Sequence, residues 1–100
     1  MREIFNIVLA MIDINQLSEQ AYNCAVRRGK ITKDTDYEDW MKAISSEVIE
    51  LSMSNIEGRK HISFEMADIV ITLLSMSKYY GIDLEIAILD KMEFNEKRSD

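Results

Sequence analysis

The sequence predicts an all-α protein, organised much like a four-helix bundle, and three observations carry that expectation. The chain has no proline and only three glycines in 100 residues, whereas turns and sheets are punctuated by both. Each glycine closes a helical pattern: Gly29 follows Val26-Arg27-Arg28, Gly58 follows Asn55-Ile56-Glu57, and Gly81 follows Lys78-Tyr79-Tyr80. Glycine is favoured just past a helix C-terminus because it tolerates the left-handed backbone found there. Apolar residues between these stops recur at spacings of three and four, the period of a helix with one buried face.

The elements follow in order. Met1 to Ile14 form an apolar N-terminal segment, helix or strand, in which a β-branched run gives no clean period. From Asn15 to Arg98 the chain reads as one helical domain. Asp13 or Asn15 can cap a first helix through Arg28, and Asp13 with Gln16 forms a capping-box pattern. Thr35 with Glu38 predicts a box for a second helix from about Asp36 to Glu57, Ser63 a cap for a third running to Tyr80, and Asp83 a cap for a fourth to about Lys97.

Composition narrows the function classes. The net charge of -6 argues against a nucleic-acid backbone as main partner, since that binding depends on Lys and Arg neutralising phosphates. Cys24 is the only cysteine, so no intrachain disulfide can form and a reducing, cytoplasmic setting is the expectation. The N-terminal apolar run has no small-residue cleavage site and falls short of the ~20 residues of a spanning helix, so no membrane association is expected.

Helical phase places the chemistry. Tyr37, Trp40, Met41, Ile44, Val48 and Leu51 are expected to face the core from the second helix, with Glu47 bordering that stripe. The third helix is apolar over more than half its circumference, which predicts a central position or a dimer interface. One polar seam crosses it: Glu65, Asp68, Thr72, Ser75 and Tyr79. Glu47 and Glu50 lie one turn apart, as do Glu65 and Asp68. An antiparallel pair of helices joined by a short loop brings the four together. Four converging carboxylates repel one another unless a cation sits among them, so they read as a hard-metal site. On the fourth helix, Leu84, Ile88, Lys91, Asn95 and Arg98 share a face that starts apolar and ends polar.

In order and spacing, Glu47-Val48-Ile49-Glu50, Glu65-Met66-Ala67-Asp68, Gly81-Ile82-Asp83 and the run from Lys91 through Asn95 to Arg98 resemble the MazG-like all-α nucleoside triphosphate pyrophosphohydrolases. The resemblance spans Asn15 to Arg98. It implies a MazG-type fold, a dimer or dimer of dimers, and Mg²⁺-dependent hydrolysis of an NTP or dNTP to the monophosphate and pyrophosphate, with Mn²⁺ a possible substitute. By position, Glu47, Glu50, Glu65 and Asp68 would ligate the metal, Glu47 or Glu50 would activate water, and Lys91, Asn95 and Arg98 would contact phosphates or sugar. The aromatic that many relatives carry after the first helix is missing from Gly29-Lys30-Ile31-Thr32-Lys33; Trp40 is either a core residue or its replacement. Two other readings compete: a phosphoribosyl-ATP pyrophosphatase-type enzyme, and a non-catalytic nucleotide-binding or regulatory helical dimer.

Overall fold

A computed structural model describes residues 13–56 and 58–98, which form four α-helices and no strand: α1 Ile14–Arg27, α2 Tyr37–Ser54, α3 Arg59–Tyr79 and α4 Leu84–Lys97. The N-terminal segment, expected to be helix or strand up to Ile14, lies outside the described residues through Ile12. Its last residue, Ile14, opens α1.

Local chemistry fixes most helix ends. Asp13 accepts from the Gln16 N–H at 2.7 Å while the Gln16 side chain accepts from the Asp13 N–H, the reciprocal box expected there. The second helix is capped one residue later than expected: Asp36 accepts from the Asp39 N–H at 2.8 Å and Asp39 returns the bond. Thr35 has another task, its hydroxyl accepting from the Thr32 N–H in the preceding turn. The third helix begins at Arg59 behind Gly58, not at Ser63, whose hydroxyl bonds the Lys60 carbonyl inside the helix. Gly58 is thus an entry residue with φ 110°, not the glycine stop expected for the second helix, which ends at Ser54. Asp83 caps α4 through the Ile86 N–H, as expected.

The helices α1 and α3 end in the same closure. After α1, the Lys30 N–H reaches the Ala25 carbonyl and the Gly29 N–H the Val26 carbonyl; after α3, Ile82 reaches Ser77 and Gly81 reaches Lys78. This paired closure needs a left-handed residue at its centre, supplied by Gly29 at φ 73° and Gly81 at φ 67°.

The central helix is α3, which packs against both α1 and α2. At the α1 crossing the Ser18 and Ser77 hydroxyls lie 3.1 Å apart and are buried; small side chains let the two backbones approach. Across the other face, Trp40 packs against Tyr79 with ring centroids 5.5 Å apart, and Thr72 bonds Glu47. Residue numbers rise along α2 as they fall along α3, so these helices run antiparallel. Helix α4 touches α1 chiefly at its start, where Asn15 donates to Asp83 at 2.9 Å. The Cα radius of gyration, 15.9 Å, exceeds the about 13 Å of a compact domain this size.

Burial inverts part of the expected pattern. The inward face of α2 is Trp40, Ile44, Glu47, Leu51 and Ser54, whereas Tyr37 and Val48 are exposed. Glu47 therefore lies within the packed stripe and not at its border. On α3 most of the polar seam faces inward: Ser75 is buried and Glu65, Thr72 and Tyr79 are half-buried, with Asp68 exposed, while Phe64, Met66, Val70 and Ile71 are also exposed.

Candidate functional site

Where the two antiparallel helices cross, half-buried Glu65 meets exposed Glu50 and Asp68 in a carboxylate cluster. Ligand oxygens of Glu50, Glu65 and Asp68 all lie within 4.8 Å of one another. Glu47 sits beside them one turn back along α2, its Oε2 accepting from the Thr72 hydroxyl at 2.9 Å. Its other oxygen, Oε1, is buried without a hydrogen-bond partner among the described residues. Burial pushes the Glu47 carboxyl above the ordinary glutamate range; the Thr72 bond opposes this, and the charges of Asp68 and Glu50 add to it. Three convergent carboxylates and a fourth with an orphaned oxygen suit a hard divalent cation. All the donors are oxygen, and Mg²⁺ binds through one or two carboxylates while keeping waters and phosphate oxygens in its shell.

Three of the acids, Glu47, Glu50 and Asp68, open onto a cavity of about 670 Å³, within the usual range for small-molecule sites. Glu47, Glu50, Asp68, Thr72 and Ser75 line it from the α2/α3 side. Trp40, Ile31 and Ile71 supply its large apolar surface, Ala21, Cys24 and Ala25 its α1 side, and Arg28 and Lys30 its basic side. Trp40 is 5% exposed, packs on Tyr79 as a core residue and also contributes to the cavity wall. The Tyr79 hydroxyl donates to the Thr35 carbonyl, tying the loop before α2 to the end of α3. Cys24 is half-buried on the cavity wall and has no disulfide. His61 is exposed in the first turn of α3.

Of the residues singled out in the sequence, the fold brings together Glu47, Glu50, Glu65 and Asp68. It does not bring Lys91, Asn95 and Arg98 to them within one chain. All three are exposed on α4 or at its end and do not line the cavity. The Lys91 ammonium instead lies 4.5 Å from the Phe94 ring centre, and Arg98 donates to Asn95 at 3.3 Å. The reason is leverage: α4 is anchored near Asp83, and Arg98 lies roughly 20 Å further along its axis. Arg28, Lys30 and Asp39, which do line the cavity, were not singled out from sequence. The signal for the two cations was present in the glycine stop itself, since Arg28 and Lys30 flank Gly29.

No family model, curated protein or solved structure matches this chain.

Proposed function

We propose that the protein is a divalent-metal-dependent nucleoside triphosphate pyrophosphohydrolase of the MazG-like kind, working as a homodimer. The observation that carries this reading is the meeting of Glu50, Glu65 and Asp68 within 4.8 Å, beside Glu47, at the edge of a cavity large enough for a nucleotide. These four carboxylates would hold Mg²⁺, or Mn²⁺ in its place, which when bound supplies a Lewis acid for phosphate oxygens and acidifies bound water. Thr72 fixes one Glu47 oxygen, leaving the other to accept a proton or a cation. Glu50 is exposed and therefore open to solvent. Either can take the proton as water attacks phosphorus. The Trp40, Ile31 and Ile71 surfaces offer a base or sugar an apolar wall.

Dimerisation is supported by the outward apolar side chains of α3 and α4. Phe64, Met66 and Val70 on one helix, and Ile86, Leu89 and Met92 on the other, are each more than half exposed. Exposed apolar area on this scale in so small a chain is stabilised by a second copy. A cytoplasmic setting fits the same reading.

The test is pyrophosphate release from a panel of canonical and modified NTPs and dNTPs in Mg²⁺. Release from at least one, lost on chelation, supports the hydrolase. A folded dimer that binds nucleotide in calorimetry yet releases no pyrophosphate would instead be a nucleotide-binding module, and the hydrolase reading would be wrong.

A further inference from the structure

A cavity with acids at one side and cations at another accepts a limited set of ligands. Glu47, Glu50 and Asp68 line the same cavity as Arg28 and Lys30, the acids from α2 and α3 and the cations from the end of α1 and the loop after it. A fourth lining acid, Asp39, is committed to capping Asp36. Among the described residues neither Arg28 nor Lys30 has an ion-pair partner. Their backbone is held firmly. The closure around Gly29 pins Arg28 and Lys30 through the Cys24, Val26 and Ala25 carbonyls, and Ile31, the next residue, is 6% exposed. Arg28 also sits at the negative end of the α1 dipole, which favours a cation there.

A bare anion drawn to these cations meets the carboxylates and is repelled; a bare cation is drawn only to the acids. A polyphosphate complexed to a divalent metal satisfies both sides. We propose that Arg28 and Lys30 bind the phosphate chain of the ligand whose metal-bound part sits at Glu47, Glu50 and Asp68, so that the loop after α1 supplies phosphate-binding cations. The assignment rests on the metal-phosphate reading above, but it concerns binding and can be measured without turnover. Arg28, with a planar fork of donors, suits bidentate contact with phosphate oxygens, whereas Lys30 acts as a point charge.

Calorimetric titration of the full chain with Mg²⁺-tripolyphosphate tests it. The double variant R28Q/K30Q is expected to bind at least about tenfold more weakly than wild type and with a shallower salt dependence. The charge-keeping variant R28K/K30R should retain most of the affinity. Both cations are exposed, so the fold is expected to survive, with unfolding curves and helical circular dichroism as the control. Equal affinity in R28Q/K30Q and wild type overturns the assignment, as does a wild type that binds no tripolyphosphate. Pyrophosphate release is scored separately. Hydrolysis by wild type with unchanged affinity in R28Q/K30Q leaves the hydrolase standing without this assignment. Binding lost in R28Q/K30Q with no hydrolysis by wild type leaves the assignment standing without the hydrolase.

Discussion

Glu47 carries one oxygen bonded to Thr72 and another sealed from any donor among the described residues. Because burial raises its carboxyl above the ordinary glutamate range, the native state holds that proton more tightly than the unfolded chain. Metal-free stability should therefore fall as pH rises from the ordinary glutamate range through the raised value, and level off above it. Glu47→Gln removes this slope. In the presence of a chelator it should be more stable than wild type at neutral pH and no more stable in acid, by urea unfolding across a pH series; a loss of stability at neutral pH would count against the account. Glu50→Gln removes charge with little change of shape and should lower turnover by roughly 100-fold or more while leaving the unfolding midpoint near wild type. Trp40, 5% exposed and packed at a tilt against Tyr79, is one of few buried apolar residues, so Trp40→Ala should cost about 3–5 kcal/mol, measured by denaturant unfolding. The face shared by each acid pair was legible from three-residue spacing. The depth of Glu47 was not, because it depends on how α3 is rotated against α2.

At the scale of elements, the two glycine closures are local devices with predictable strength. A Cβ at Gly29 or Gly81 would meet no atom within 4 Å, so alanine there costs only the left-handed backbone, about 1–2 kcal/mol. Thermal unfolding of Gly29→Ala and Gly81→Ala should show losses of that size at each site. The anchor of α4 is electrostatic as well as geometric. The Asn15 bond, aided by the Ile86 N–H, draws the Asp83 carboxyl below the ordinary aspartate range. Its contribution to stability is present above that range and lost as pH falls through the lowered value. Asp83→Asn should flatten this acid limb of the stability profile. The Asp13 and Asp83 caps could be read directly because a cap and its first turn are neighbours in sequence. The start of α3 could not be read this way: Gly58 turns the chain with a backbone angle instead of a side-chain bond, which leaves no polar signature for a cap to be recognised by.

Across the whole molecule, Ile31, Trp40 and Leu74 are the buried hydrophobic residues of the described part, while large apolar side chains face outward on α3 and α4. The proposed dimer covers them. Light scattering should give twice the chain mass of 11.6 kDa, and Val70→Glu with Leu89→Glu should shift the protein toward monomer; a monomeric wild type would remove this part of the proposal. Sequence by itself determined that the described chain is helical and that the acids pair on their helices. Absent proline, capping side chains and i to i+3 spacing all act within a few residues. Only tertiary structure decided that most of the polar seam of α3 faces inward, that Lys91 and Arg98 stand apart from the acids in one chain, and that Arg28 and Lys30 share their cavity. A helix that is apolar over most of its circumference has no unique inward face until its neighbours choose one, and here α1 and α2 choose the seam.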